Sequence, residues 1–275
     1  MIINTKILRS KVSERFNGDE DIYSELTCYL KKVLGISLAD LYSSEDIKLN
    51  KDQSANLDNF FKQKLKKTPL DYILKESSFF GRNFYIDERV LIPRCETELI
   101  IQYFKENKIL GKKNILDAGT GSGCIAISIA YLDDNYTLYA SDKSSSALEV
   151  AAINIERHKL NNIFLTQMHW LSGFQKDAFD IVISNPPYIE EYDAHLKDLS
   201  HEPIEALVSS DNGLGDIKEI CSNAFEVLKY EGMLVLEHGY NQSEEVLRIL
   251  QTTGLKFKET IKDHQGHHRI TIATK

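Results

Sequence analysis

Four consecutive residues, Asn185-Pro186-Pro187-Tyr188, bring hydrogen-bonding side chains and two prolines to the end of the apolar run FDIVIS. Proline has no N–H and pushes the preceding residue towards extended geometry, so Asn185 and Pro186 are restrained while their oxygens stay available as acceptors. A planar NH2 group can then donate to the Asn185 side-chain oxygen and to the Pro186 carbonyl, with the Tyr188 ring over its plane. We therefore predict an acceptor site for a planar nitrogen; the alternative is a proline-capped strand end with a buried Asn turn.

A glycine-rich loop, Asp117-Ala118-Gly119-Thr120-Gly121-Ser122-Gly123, joins a predicted strand directly to a predicted helix. Glycines let the backbone approach a ligand closely, and the start of a helix exposes unpaired N–H groups. The spacing G-x-G-x-G differs from the dinucleotide fingerprint G-x-G-x-x-G, and no Gly-Lys-Ser/Thr follows as in a Walker loop. The loop favours a nucleoside cofactor without a pyrophosphate; the alternative is a tight strand-to-helix turn.

An acidic residue, Asp142, closes the next predicted strand, TLYASD, about twenty residues after the glycine loop. A carboxylate at this strand end can accept hydrogen bonds from both hydroxyl groups of a ribose. The competing role is an exposed N-cap for the helix that starts in SSSALEV, and the two roles can coexist.

These residues follow strands in a regular alternation of strands and helices after residue 112. The predicted strands are KNILDAG, TLYASD, NIFLTQ, FDIVISN and GMLVLEHG; helices are predicted at 123–132, 144–158 and 216–229, and a helix and strand pair close the chain. This order predicts an α/β fold with a mostly parallel sheet and helices on both faces. Ligands of such sheets lie outside the carboxyl ends of the strands.

The N-terminal part of the chain has a different pattern. Residues 2–75 repeat apolar side chains at helical spacing, and Gly18, Gly35 and the LYSSED segment separate short predicted helices. The segment SSFFGRNFYIDERVLI, residues 77–92, is rich in aromatic and branched residues around a glycine turn, which predicts a β-hairpin. We expect a small helical bundle at 1–75, a β-hairpin linker at 76–93 and a catalytic α/β domain at 94–275.

Charge and cysteine content narrow the function classes. The chain has 275 residues and a net charge of -8, and residues 1–76 hold 13 Lys and Arg against 12 Asp and Glu, so the acidic excess lies in the predicted α/β part. Nucleic acid is therefore disfavoured as substrate, since its binding depends on Lys and Arg. Because the four cysteines lack CxxC spacing, we expect neither a disulfide framework nor a zinc ribbon. Because no segment resembles a signal peptide or a membrane span, we expect a cytoplasmic protein.

Together the glycine loop and Asp142 resemble the class I methyltransferases, which have a Rossmann-like sheet and bind S-adenosylmethionine. The resemblance implies that residues 117–123 wrap the methionine end of the cofactor and that Asp142 holds its ribose. Asn-Pro-Pro-Tyr resembles the motif of methyltransferases acting on planar nitrogens: adenine N6, cytosine N4 and glutamine N5. Such nitrogens are poor nucleophiles because the lone pair is delocalised, and two acceptors can bind the developing N–H charge and align the nitrogen with the sulfonium methyl. A strong general base is then not required.

From about residue 69 to the C-terminus the chain is similar to the release factor glutamine methyltransferase family. The similarity rests on PLDYILKESSFFGRNFYIDERVLIPRCETE, ILDAGTGSG, SNPPYI, HEPIEAL and LEHGYNQ. It implies methyl transfer from S-adenosylmethionine, leaving S-adenosylhomocysteine, to the glutamine of the Gly-Gly-Gln loop in peptide chain release factors. The helical domain at 1–75 would hold the rest of that protein. A monomer without stable nucleic-acid binding is expected.

The residues carried over from the family form two groups. Those implied for the cofactor are Gly119, Thr120, Gly121, Ser122, Gly123, Asp142, Trp170 and Asn185. Those implied for the substrate glutamine are Asn185, Pro186, Pro187 and Tyr188, of which Asn185, Pro186 and Tyr188 are assigned to catalysis. Trp170 is expected to pack near the adenine, and the alternative is an ordinary core tryptophan.

Several positions depart from the family pattern, among them residues 199–201, which lack the Arg that some members have before Glu202. Cys95 and Glu96 replace a proline and an aspartate, which predicts a less rigid helix start there with an acid retained. His169 stands before Trp170 where the family commonly has aspartate, which puts a side-chain contact to the adenine from that position in doubt.

Weaker candidates and two other function classes remain. The histidine-rich segment 263–268 favours a solvated loop over a metal site, and Glu237 is predicted only to end a strand. Lys62, Lys64, Lys66 and Lys67 favour a solvated helix face, with contact to the release factor as the alternative.

An adenine-N6 nucleic-acid methyltransferase shares Asn-Pro-Pro-Tyr but needs a basic or target-reading domain. A cofactor-binding module without catalysis predicts an altered acceptor motif.

Overall fold

The computed structural model describes residues 1–43 and 46–275. These residues form two compact units, Met1–Glu76 and Ser77–Lys275. Of the LYSSED segment predicted to separate two helices, Ser44 and Glu45 lie outside the described residues. Within the described ranges, no helix is both long enough and apolar enough to cross a membrane.

Short helices build the first unit, as the apolar spacing predicts. In chain order the elements are β1 (Ile2–Ile3), α1 (Thr5–Phe16), α2 (Glu20–Tyr29) with a π-helical extension (Leu30–Leu34), α3 (Leu38–Ser43), β2 (Ile47–Lys48), α4 (Lys51–Leu65) and α5 (Leu70–Leu74). Asn50 starts α4 with a capping box, in which the Asn50 and Gln53 side chains each bind the other's backbone N–H. The antiparallel β1–β2 pair was not predicted, because two residues per strand leave no alternation to detect.

One lysine of the predicted solvated face is buried. Lys64 places Nζ 2.5 Å from the Glu25 carboxylate and donates to the Thr68 carbonyl at 3.1 Å. These partners offset the cost of taking an ammonium group out of water. Lys62 and Lys67 are exposed, so the prediction is wrong for Lys64, which lies on the buried side of α4.

Strands and helices alternate along the second unit, as predicted. Its elements are β3 (Ser77–Phe79), β4 (Arg82–Phe84), α6 (Glu98–Glu106), β5 (Lys113–Ala118), α7 (Cys124–Ala130), β6 (Tyr136–Asp142), α8 (Ser145–His158), β7 (Ile163–Gln167), β8 (Phe179–Ser184), α9 (Ser210–Gly213), α10 (Gly215–Val227), β9 (Leu228–Glu237), α11 (Ser243–Thr253), β10 (Lys256–Lys262) and β11 (His268–Thr274), with 3-10 turns at Ala194–Lys197 and Ile204–Ala206. Residues 263–267 of the histidine-rich segment connect β10 to β11 as a loop, and His268 begins β11.

Seven strands of the second unit, which is described in full, form one sheet in the order β10-β11-β9-β8-β5-β6-β7. The five strands from β9 to β7 are parallel, and β11 and β10 pair antiparallel at one edge, so the mostly parallel prediction is confirmed. Ile115 and Leu116, neighbours in β5, pack into different apolar clusters on the two faces. This alternation is the period-2 pattern of a strand covered on both sides.

The strand order gathers the chemical segments at one edge of the sheet. Because β8 and β6 flank β5, the register pairs Ala118 with Ser184 on one side and with Ser141 on the other. The glycine loop, Asn185 and Asp142 are the next residues along these three strands. They therefore leave the sheet side by side at its carboxyl ends, where α/β sheets bind ligands.

The predicted hairpin is the short β3–β4 pair, in which Phe79 pairs with Arg82. The two turn residues, Phe80 and Gly81, have φ of 46° and 72°, as a two-residue hairpin turn with matching twist requires. Phe79 and Phe84 belong to the apolar core that includes α6 and α7. The hairpin thus falls within the compact unit Ser77–Lys275.

Candidate active site

The glycine loop turns sharply between β5 and α7. Gly119, Gly121 and Gly123 have φ of 77°, 54° and 80°, in the left-handed region that residues with a side chain rarely adopt. The N–H groups of Gly119 and Thr120 donate to the Ser141 carbonyl at 2.8 and 2.9 Å. Glycine and the end of β6 therefore set the shape of this loop.

The buried carboxylate of Asp117 fixes the same loop by hydrogen bonds. Through Oδ2, Asp117 accepts from the Thr120 hydroxyl at 2.6 Å and from the Ala126 N–H at 3.2 Å. Its Oδ1 is buried and has no hydrogen-bond partner among the described residues. Burial raises the pKa of Asp117 to about 6, although the two donors favour the ionised form. Asp117 thus ties the loop to the start of α7.

Asp142 ends β6 and faces the glycine loop. Its Oδ2 accepts from the Gly121 N–H at 3.0 Å, and its Oδ1 accepts from the Ser144 N–H at 2.9 Å. Each oxygen keeps a further acceptor position, since an ionised carboxylate offers about four. Burial raises the pKa of Asp142, and the two backbone donors oppose that shift. Ser144 is the N-cap of α8 through its bond from the Ala147 N–H, so the N-cap alternative for Asp142 is wrong.

Trp170 follows β7 and is both a core residue and a cavity wall. It is 7% exposed, belongs to the apolar cluster under α10, and donates through Nε1 to Asp216 at 3.0 Å. The preceding His169 places Nδ1 3.0 Å from Glu219. Trp170 is thus a core residue that also lines the cavity described next, and its contact with adenine stays a prediction.

A cavity at the carboxyl edge of the sheet brings together most of the residues predicted for the cofactor. Those that line it are Gly119, Thr120, Gly121, Ser122, Asp142, Trp170 and Asn185. Apolar side chains of Val90, Ile125 and Ala147 line it as well. Gly123 has another role as the N-cap of α7, where an added Cβ would lie 3.4 Å from Ala151.

A second cavity adjoins the first at the acceptor motif. The motif residues in its wall are Asn185, Pro186, Pro187 and Tyr188. Asn185 and Pro187 line both cavities, as do Leu91, Arg94 and Ala206. The four residues predicted for the substrate therefore stand at the boundary between two spaces.

Residues outside the motif fix Asn185 and Tyr188 by hydrogen bonds. Asn185 donates through Nδ2 to Thr97 Oγ1 at 3.1 Å, which leaves its Oδ1 as an acceptor. The Tyr188 hydroxyl donates to Glu237 at 3.5 Å, and Gln242 donates to the Tyr188 carbonyl at 3.1 Å. Burial raises the pKa of Tyr188, so its hydroxyl stays protonated at neutral pH.

An ion pair beside both cavities was not assigned from the sequence. Arg94 donates to Glu202 at 2.5 Å, and the second Glu202 oxygen accepts from the Ile92 N–H at 3.0 Å. Glu202 is buried, so the segment before α6 is tied to the loop after β8. The fragments that contain these residues were noted in the sequence, but more than 100 residues separate the partners, and local patterns do not predict such a pairing.

The unusual Cys95 lies in the turn that leads into α6. The Glu98 N–H donates to the Cys95 carbonyl and the Leu99 N–H to the Glu96 carbonyl, both at 3.1 Å, so the turn is hydrogen-bonded without the proline. The Cys95 thiol lies 3.3 Å from the Glu96 carboxylate, a contact that raises the pKa of the thiol. The predicted acid near the helix start is present as Glu96 and Glu98.

We expect Gly119→Ala to destabilise the fold. A Cβ at this position would lie 2.8 Å from Cζ3 of Trp170, and φ of 77° adds backbone strain, for a total of about 2–4 kcal/mol in the free energy of unfolding. Urea unfolding of the variant and the wild type measures this change in the free energy of unfolding. Gly111→Ala is the matched control, because Gly111 has φ of 88° and open space around an added Cβ. Equal losses in both variants would exclude the contact with Trp170 as the cause.

The fold and the two adjoining cavities define a class I methyltransferase. Residues 95–210 match the model of the methyltransferase small domain. Among solved structures, a methyltransferase from Pyrococcus furiosus superimposes with a TM-score of 0.54 at 19% identity, covering 82% of this chain and 99% of that one. A ribosomal protein L11 methylase from Lactobacillus delbrueckii gives a TM-score of 0.52 at 16% identity, covering 72% and 89%. These likenesses establish the fold.

Sequence comparison gives the family. A release factor glutamine methyltransferase of Coxiella burnetii is 37% identical, over 90% of this chain and 88% of the relative. One from Buchnera aphidicola subsp. Schizaphis graminum is 32% identical over 99% of this chain and 100% of its own length. The chain belongs to the release factor glutamine methyltransferase family.

Proposed function

We propose that this protein transfers a methyl group from S-adenosylmethionine to N5 of the glutamine in the Gly-Gly-Gln motif of peptide chain release factors. The names of its relatives support the reaction and the substrate. The observation that carries the proposal is the meeting of two cavities at Asn185, one lined by the glycine loop and Asp142 and the other by Pro186 and Tyr188. At such a boundary, a methyl donor bound in one cavity can react with a nitrogen bound in the other.

The residues of the first cavity fit S-adenosylmethionine. Asp142 has acceptor positions left for two ribose hydroxyls, and Gly119 and Gly121 present no side chain to the cavity that they line. Apolar walls from Val90 and Ile125 suit the adenine. When bound, this cofactor supplies an electrophilic methyl group on a positively charged sulfur.

The acceptor motif fits a primary amide. The Asn185 Oδ1 and the Pro186 carbonyl can each accept one hydrogen of the glutamine NH2, and the Tyr188 ring can pack over the amide plane. Acceptance of these hydrogens increases electron density on the nitrogen and stabilises the positive charge that develops on it. Alkylation makes the nitrogen strongly acidic, so the proton can leave without a strong base.

The helical unit is proposed to bind the remainder of the release factor. Its surface carries the exposed lysines Lys62 and Lys67 and the exposed apolar side chains Tyr42 and Leu65. We further propose that the protein acts as a monomer in the cytoplasm, where its substrate functions in translation.

Methyl-labelled S-adenosylmethionine tests the function. The protein is incubated with a release factor or with DNA, and the methyl group is located by mass spectrometry. Label on N5 of the Gly-Gly-Gln glutamine is expected. Label on DNA adenine would support the alternative nucleic-acid methyltransferase, and cofactor binding without transfer to either substrate would indicate a binding module. A release factor with Gly-Gly-Glu in place of Gly-Gly-Gln is the matched control and should stay unlabelled.

A further inference from the structure

Trp170 has a strained backbone at the wall of the first cavity, the one proposed for the cofactor. Its φ is 45°, in the left-handed region, which is unusual for a residue with a bulky side chain. Such a conformation costs free energy and persists only where the surroundings fix it, as they often do at ligand sites. Here the Ser141 hydroxyl donates to the Trp170 carbonyl at 3.2 Å. The ring lies so close to Gly119 that an added Cβ would be 2.8 Å from Cζ3.

The indole nitrogen is fixed by a carboxylate on another element. Trp170 donates through Nε1 to Oδ1 of Asp216 at 3.0 Å. Asp216 lies in the first turn of α10, where the helix dipole favours a negative charge. A buried indole N–H usually has an acceptor, so this bond stabilises the fold in any case. Because the same ring lines the first cavity, its orientation also affects the shape of the ligand site.

A buried serine in turn fixes Asp216. The Asp216 Oδ2 accepts from the Ser209 hydroxyl at 2.5 Å, and the Asp216 N–H donates to the same Ser209 oxygen at 2.9 Å. Ser209 is 2% exposed, and its own N–H donates at 3.0 Å to the carbonyl of Ile189, the residue after the acceptor motif. Each Asp216 oxygen therefore has its own donor, so the plane of the carboxylate is fixed.

We infer that Asp216 is a positioning residue, which holds the Trp170 indole against Gly119 so that this wall of the first cavity is formed before the cofactor binds. The inference rests on the proposed function for the identity of the ligand, S-adenosylmethionine. A wall that is already ordered lowers the entropy cost of binding. Without the Asp216 carboxylate, Nε1 loses its acceptor and the strained backbone of Trp170 loses one of the contacts that fix it. The ring can then move away from Gly119, and the ligand has to order it again.

Asp216→Ala removes the acceptor. We expect the affinity for S-adenosylmethionine, measured by calorimetry, to fall about 5- to 20-fold, while the KM for the release factor and kcat at saturating cofactor stay within about 2-fold of wild type. Asp216→Asn should stay within about 3-fold in affinity, because its amide oxygen can accept from Trp170 and its NH2 can donate to Ser209. Glu226→Ala is the matched control: it removes an acid at the other end of α10, whose partner is Lys176, so the affinity should equal that of the wild type.

Fluorescence gives a readout that needs no substrate. Trp170 is the single tryptophan of the sequence, so tryptophan emission reports this ring alone. Time-resolved anisotropy should show an immobile indole in the wild type and in Asp216→Asn, and an added nanosecond motion in Asp216→Ala. Ser209→Ala, a smaller change that leaves the carboxylate in place, should give the same motion with a smaller loss of affinity. Urea unfolding of each variant verifies that the motion belongs to the folded protein.

Trp170→Phe tests whether Asp216 acts through the indole. Phenylalanine keeps an aromatic ring but has no N–H, so Asp216→Ala should change the affinity by less than about 2-fold in that background. Label on the Gly-Gly-Gln glutamine by the wild type tests the proposed function alone, since cofactor affinity and anisotropy are measured without release factor. Three results would each overturn the role of Asp216: wild-type affinity or an immobile indole in Asp216→Ala, equal losses in Asp216→Ala and Asp216→Asn, or an undiminished effect in the Trp170→Phe background.

Discussion

Asn185→Ala is expected to lower methyl transfer to the release factor by about 10³-fold, while the affinity for S-adenosylmethionine stays within about 5-fold of wild type. The variant removes the acceptor that the Thr97 contact leaves facing the boundary of the two cavities. A loss of this size corresponds to about 4 kcal/mol of transition-state stabilisation. It is large because the removed oxygen both aligns the amide nitrogen and stabilises the charge developing on it.

Two measurements separate catalysis from binding in this variant. Single-turnover transfer of labelled methyl gives the chemical step, and calorimetry gives the affinity for the cofactor. Asn114→Ala is the matched control, because Asn114 donates to the Ala178 carbonyl near the start of β5, away from the carboxyl edge of the sheet. Its activity should equal that of the wild type. Transfer by Asn185→Ala at the wild-type rate would refute the role of the motif.

Asp142→Ala is expected to weaken S-adenosylmethionine binding by about 10²- to 10³-fold. The carboxylate is the acceptor proposed for two ribose hydroxyls, and hydrogen bonds to a charged group contribute about 1.5–3 kcal/mol each. Its loss also removes the hydrogen-bond acceptor of the Gly121 and Ser144 N–H groups, so the loop that lines the cavity becomes less rigid. Calorimetry with S-adenosylmethionine measures the effect.

Ser144→Ala distinguishes loss of the carboxylate from a general loosening of this region. It removes the N-cap bond to Ala147, at a cost of about 1 kcal/mol in the free energy of unfolding, and leaves Asp142 in place. Cofactor affinity should therefore stay near that of the wild type. An equal drop in affinity for the two variants would mean that the conformation of the segment, and not the Asp142 carboxylate, controls binding.

Local sequence patterns predicted most elements of the second unit because each carries its own signal. The apolar strands, the glycine loop and the proline-stopped end of β8 are properties of a few adjacent residues. The same reasoning failed where a distant partner decides the outcome. Lys64 is buried because Glu25 on another helix forms an ion pair with it. The two-residue strands β1 and β2 form only by pairing with each other.

The sequence by itself determined which chemical groups this protein has: an acceptor motif with restrained oxygens, a glycine loop and an acid after the next strand. Only the tertiary structure decided how they are combined. The strand order places β5 between β6 and β8, and Asn185 forms a hydrogen bond with Thr97, 88 residues away. The physical reason is that hydrogen-bond direction and carboxylate burial depend on neighbours brought together by packing, which residues close in sequence do not specify.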